Sequence, residues 1–115
     1  SQMQTIEEKD IIKACAIAEA NDFINKKDKK LESMLNEYGD GLSMGQKQRI
    51  CLARALVRNP LVLILDEITA NLDKETEIAI VNSLKALKGE INIIVTTHSD
   101  VFDKICDKSI ILQKN

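Results

Sequence analysis

Leu61-Val62-Leu63-Ile64-Leu65 is an unbroken apolar run that stops at two adjacent carboxylates, Asp66 and Glu67. It is far too short to cross a bilayer, which takes about 20 apolar residues in a helix. It also lacks the alternation of a half-solvated strand, and so has the texture of a parallel β-strand buried on both faces. Parallel strands need a crossover, usually a helix. Residues 75–88 supply one, with Ile78, Val81 and Leu84 inward at helical spacing and Gly89 as terminator. Residues 91–96 form a second buried strand, residues 100–106 a short helix and residues 109–112 a third strand. This order predicts an α/β fold with a right-handed parallel layer. Three strands make a thin sheet, which reads as part of a larger one.

The upstream half has a helical texture. Thr5-Ile6-Glu7-Glu8 reads as a capping box, with Thr5 as cap and Glu8 reaching back. The helix that follows runs to about Ala20 and places Ile11, Ile12, Cys15 and Ala18 on one side. A short helix fits residues 21–24, and residues 31–35 suit one or two further turns. Gly39-Asp40-Gly41 is a turn by composition. The strongest helix spans residues 44–58, with Ser43 as cap and Ile50, Ala53, Leu56 and Val57 along one stripe; Asn59-Pro60 stops it. The change of texture divides the chain into a helical part, 1–59, and a sheet-bearing part, 60–115.

Composition narrows the function. With 44% hydrophobic but 3% aromatic residues, the core has to be aliphatic. A net charge of −2 gives no basic face for DNA or RNA. The dense basic stretch Lys26-Lys27-Asp28-Lys29-Lys30 is broken by an acid and reads as a solvated loop. Cys15, Cys51 and Cys106 lie far apart among apolar neighbours, as buried free thiols in a reducing compartment do. Residues 1–10 are polar and unlike a secretory leader. A membrane role has to come through another segment or a partner.

Four features in a fixed order point to chemistry. Leu42-Ser43-Met44-Gly45-Gln46 opens a helix, where unpaired N–H groups, a hydroxyl and a glycine suit close approach of a phosphate. An ordinary helix cap explains it equally well. Asp66 and Glu67 end a parallel strand, where ligands collect in such sheets. Two acids there suit a Mg²⁺ partner and a group that orients water, although they could simply mark the strand's exit into solvent. Asp73, in Asn71-Leu72-Asp73, also suits a helix cap. His98, the only histidine, follows the strand ending in Thr96-Thr97. A lone histidine is commonly structural, but this one falls on the edge that bears Glu67.

Taken together, these segments resemble ATP-binding-cassette (ABC) ATPases. Leu42-Ser43-Met44-Gly45-Gln46-Lys47-Gln48-Arg49 is similar to their signature motif, and residues 61–66 resemble the Walker B strand, with Glu67 in the place of the catalytic glutamate. Ala70-Asn71-Leu72-Asp73 resembles the D-loop, and His98 the switch histidine. Residues 33–39 (Ser33-Met34-Leu35-Asn36-Glu37-Tyr38-Gly39) resemble the loop that exporter-type cassettes carry ahead of the signature, matching at Glu37 and Gly39 but not at Asn36. Met44 stands where a first glycine is usual, so an altered ATP contact is expected there.

The resemblance implies the later part of a P-loop NTPase fold and a nucleotide, ATP, held with Mg²⁺ between two ATPase domains paired head to tail. It implies that Ser43, Met44, Gly45 and Gln46 contact the nucleotide, and that Asp66 supports Mg²⁺. Glu67 would polarise water, His98 steady the γ-phosphate, and Asp73 communicate between sites. Transmembrane domains, in the same chain or a partner, would place the ATPase at the cytoplasmic face of a membrane. None of Gly39, Gly41, Gly45 and Gly89, the only glycines, belongs to a G-x-x-x-x-G-K-[S/T] phosphate loop. The 115-residue chain is therefore expected to be inactive alone. One alternative is a lobe of a DNA-repair or chromosome-organising ATPase, which predicts heptads that residues 1–40 do not show; another is a binding module without catalysis.

Overall fold

A computed structural model describes residues 5–24 and 42–108. Strands β1 (Val62–Asp66) and β2 (Asn92–Thr96) pair in parallel, with Val62 opposite Asn92 and Asp66 opposite Thr96. Between them runs the crossover helix Lys74–Lys85, and a 3-10 helix, Asp100–Lys104, follows β2 under a Ser99 cap. Upstream lie α1 (Glu8–Ile17), α2 (Asn21–Ile24) and α3 (Met44–Val57), so that Lys74–Lys85 is α4. The expected features at residues 26–30, 31–35, 33–39, 39–41 and 109–112 lie outside the described residues.

β1 is not buried on both faces. Leu63 and Leu65 are in the core, whereas Val62 and Ile64 are exposed, Ile64 at 69%. The pleat sends alternate side chains to opposite faces. Leu63 and Leu65 join Ile50, Leu52 and Ala53 of α3 and Ile80, Val81 and Leu84 of α4 in one aliphatic cluster. The second face is open among the described residues. β2 follows suit, with Ile94 exposed and Ile93 and Val95 half-buried against the cluster.

Several helix boundaries differ from the sequence reading for local reasons. The cap of α1 is Glu7, not Thr5, because the Glu7 N–H finds the Asp10 carboxylate at 3.1 Å. The helix ends at Ile17, and its buried stripe is Ile11, Ala14, Cys15 and Ala18. Ile12, one step of 100° off that stripe, is exposed. In α4 the stripe is Glu77, Ile80, Val81 and Leu84, so Glu77 takes the inward place expected of Ile78. Gly89 does not terminate α4, whose C-cap is Ala86; it occupies a following turn at φ +92°, a conformation natural to glycine. Cys15 is buried, but Cys51 and Cys106 are exposed, on the outer side of α3 and beyond the 3-10 helix. The stop after α3 holds, with Asn59 left-handed at φ 50° before Pro60.

Ser43 caps α3 as expected: its hydroxyl accepts from the Gln46 N–H at 3.1 Å, and its own N–H donates to the Gln46 side chain at 2.9 Å. One turn on, Arg49 fastens α3 to the α1–α2 corner. Its guanidinium lies 4.8 Å from the Phe23 ring centre and donates to the Glu19 carbonyl at 3.0 Å. Gly45 closes the other side, where an added Cβ would lie 2.8 Å from the Asn71 carbonyl oxygen and 3.0 Å from the Leu72 side chain. Glycine is thus required at 45 by contact between helix and loop inside this chain.

Two stability predictions follow from this packing. Gly45→Ala should destabilise the fold by ~1–3 kcal/mol, more than the ~1 kcal/mol that alanine gains as a helix former; an unchanged urea midpoint would contradict the close contact. Burial pushes the Glu77 carboxyl up, but hydrogen bonds from Thr69, Ser99 and Lys74 and the charge of Lys74 outweigh it, leaving its pKa below the ordinary value. A depressed folded pKa contributes stability above the unfolded value, about 4.3, that is lost as pH falls through the folded one. Glu77→Gln should therefore flatten the loss of stability in acid, measured as urea midpoints between neutral pH and about pH 3.

Candidate functional site

Because Asp66 pairs with Thr96, both strands end at the same level and deliver their next residues to one edge. The Thr96 hydroxyl donates to the Asp66 carboxylate across that edge. Glu67 leaves β1 in a left-handed conformation, φ 52°, which a non-glycine residue adopts only when its surroundings enforce it. Its N–H donates to the Thr96 carbonyl at 2.8 Å. The turn brings the Glu67 carboxylate within 3.2 Å of His98 Nε2, with the glutamate half-buried and the imidazole 95% exposed. Asp66, Glu67 and His98 thus converge as their positions in the chain predict.

The other expected residues surround this edge to differing degrees. Met44 projects from the tip of α3 at 60% exposure, beside exposed Ser43 and half-buried Gln46. Gly45 is buried against the loop at residue 71 rather than open to solvent. Asp73 holds the N-cap position of α4 but makes no side-chain capping bond, so the helix does not employ its exposed carboxylate.

Two residues escaped the sequence reading. Gln48 donates to the Glu67 carbonyl at 3.3 Å and accepts from the Asn71 N–H at 3.3 Å, joining α3 to the acidic turn. Its spacing of three from Gly45, on the same helical face, was the available signal. Glu77 bonds the Thr69 hydroxyl at 2.6 Å beneath the same turn. An acid in register with Ile80, Val81 and Leu84 was the clue in that case.

The arrangement suits chemistry on a phosphate. A carboxylate touching an imidazole can orient a water and hold a proton, and the exposed tip of α3 retains first-turn N–H groups for an anion. Among the described residues no three His, Cys, Asp or Glu side chains gather as a metal cage. Asp66 alone fits a Mg²⁺ ion, which takes one or two carboxylates and completes its shell with waters and phosphate oxygens.

Comparison with known proteins shows the family. The family described as ABC transporter matches residues 1–70. The serine protease/ABC transporter B family protein tagB of Dictyostelium discoideum is 41% identical over 107 residues, 93% of this chain and 6% of that protein. The ATP-dependent lipid A-core flippase of Aliivibrio fischeri is 48% identical over 89 residues, 77% of this chain and 15% of the flippase. A solved bacterial Atm1-family ABC exporter with ATP bound superposes with a TM-score of 0.72 at 32% identity, over 89% of this chain and 18% of its own. The chain therefore spans a small part of these relatives, and it belongs to the ABC transporter family as a stretch of its ATPase domain, similar to those of exporters.

Proposed function

We propose that this stretch supplies the hydrolytic edge and the signature helix of an ATPase that drives export across a membrane. The observation that carries the reading is the Glu67–His98 contact of 3.2 Å at the shared ends of β1 and β2. Glu67 orients and polarises the attacking water, and its left-handed backbone, bonded through both N–H and carbonyl, restricts where the carboxylate can go. His98, almost fully exposed, is free to contact a γ-phosphate while its other side faces Glu67. Asp66, steadied by Thr96, presents a carboxylate to Mg²⁺. When bound, Mg²⁺ would neutralise charge on the phosphates. Catalysis of this kind rests on positioning and charge stabilisation.

The tip of α3 serves a second site. Ser43, Met44, Gly45 and Gln46 contact the nucleotide held by an opposing ATPase domain in a head-to-tail pair, and Asp73 communicates between the two sites. Residues 1–59 act as the helical signature subdomain and residues 60–115 as the later part of the ATPase core. Transmembrane domains, in the same chain or a partner, place the ATPase at the cytoplasmic face. Exporter-type relatives favour this over a DNA-repair or chromosome-organising ATPase.

In a full-length protein carrying this stretch, Glu67→Gln should leave ATP binding intact and lower turnover by about 10²–10⁴-fold. Wild-type turnover in a phosphate-release assay would remove Glu67 from the role of water activator. The 115-residue chain alone should release phosphate at background rate; robust Mg²⁺-dependent turnover would show that a separate phosphate loop is not needed.

A further inference from the structure

Glu77 is a charged residue that the hydrolytic reading leaves without a task. It is only 5% exposed, on the inward stripe of α4. One carboxylate oxygen accepts from the Thr69 hydroxyl at 2.6 Å and the other meets Lys74 Nζ at 3.3 Å. Burying a carboxylate is costly, and an apolar side chain of similar volume often serves stability as well. What the carboxylate adds is a directed bond to the turn after Glu67, made beside Lys74 of its own helix.

That turn follows one member of the reacting pair, and the turn after β2 follows the other. Thr69 lies two residues beyond Glu67, in a turn where the Ala70 N–H donates to the Glu67 carbonyl at 3.2 Å and the Leu72 N–H to the Thr69 carbonyl at 3.2 Å. Ser99 directly follows His98, in a turn where its own N–H donates to the Thr97 hydroxyl at 2.9 Å and its hydroxyl accepts from Val101 at 3.3 Å. Glu77 is the side chain of α4 that bonds the turn after Glu67 among the hydrogen bonds described. Its place in the first turn of α4 favours the ionised form through the helix dipole.

We propose that Glu77 is a positioning residue: its carboxylate clamps the turn after Glu67 onto α4, and so holds the Glu67 carboxylate at its separation from the imidazole. The inference rests on the reading of Glu67 and His98 as the hydrolytic pair. The clamp acts on a backbone turn and touches no nucleotide. Its loss therefore lowers kcat and leaves KM for ATP nearly unchanged.

Amide hydrogen exchange in a full-length protein carrying this stretch reads the clamp without nucleotide. In Glu77→Gln, exchange at Ala70 and Leu72 should accelerate about tenfold relative to the core amides of Leu52 and Ala53. Thr69→Val, which keeps volume and removes the hydroxyl, should reproduce the change at Ala70 and Leu72. Val81→Ala, on the same helix, should lower global stability and leave the ratio of turn to core exchange where it was. Unchanged ratios in Glu77→Gln, or an equal rise in Val81→Ala, would overturn the clamp. Steady-state kinetics of the full-length protein complete the test, with Glu67→Gln as reference. Loosened turns with wild-type kcat would refute positioning. Should Glu67→Gln itself turn over normally, the hydrolytic reading falls, and the positioning role falls with it. Should Glu67→Gln be inactive while Glu77→Gln matches wild type in exchange and kcat, the positioning role alone falls.

Discussion

The site depends on a backbone constraint, the parallel register that sets Asp66 opposite Thr96. That register ends both strands at one level, so the residues just beyond them, separated by more than a crossover helix in sequence, meet at a single edge. A shift by one residue would do more than displace the carboxylate from the imidazole: it would exchange the core and open faces of a strand. Burial of Leu63 and Leu65, each worth about 1.5–3 kcal/mol, therefore also fixes the position of Glu67.

Upon that register the chain builds a turn tied from three directions. β2 holds Glu67 through the Thr96 carbonyl, α3 holds it through Gln48, and α4 holds the next part of the turn through Glu77 and Thr69. Left-handed backbone at a glutamate costs of order 1–3 kcal/mol, and these bonds are what oppose its relaxation. Close approach of α3 at Gly45 makes Gln48 possible, since any side chain at 45 would push the helix off the loop at residue 71. On the proposal that Glu67 orients a water, the assembly has a use: such a glutamate gains from a backbone that cannot drift.

The same bonds connect elements assigned to different tasks. α3 carries the proposed signature residues at its tip and Gln48 one turn below, so the helix that would touch one nucleotide also bonds the turn that would act on another. α4 is capped at Asp73 and bears Glu77 within its first turn, which brings the end of the proposed D-loop and the base of the proposed hydrolytic pair onto one rigid piece. A fold in which each functional turn rests on a helix needs few flexible parts near its chemistry.

How much of this was legible in the chain divides along physical lines. Periodicity and end signals identified α3 with its Ser43 cap, the crossover helix and both strands, because those patterns reflect local backbone preference and the burial of one stripe. The convergence of Asp66, Glu67 and His98 was likewise legible, since parallel strands joined by a helix must place their carboxyl ends on the same side. Local composition could not say which face of β1 is covered, so an apolar Ile64 was read as buried when it is 69% exposed. Nor could it distinguish Ile78 from Glu77 as the inward residue of α4, because a carboxylate belongs in a core only if partners such as Thr69 and Lys74 are there to meet it. Gly45 carried the same ambiguity: its sequence position suggests room for an anion, and only the packed structure reveals the Asn71 carbonyl in the space a side chain would fill. Sequence alone determined the elements and the edge on which the chemistry sits; tertiary structure decided which polar side chains hold that edge in place, because their partners come from segments far apart in the chain.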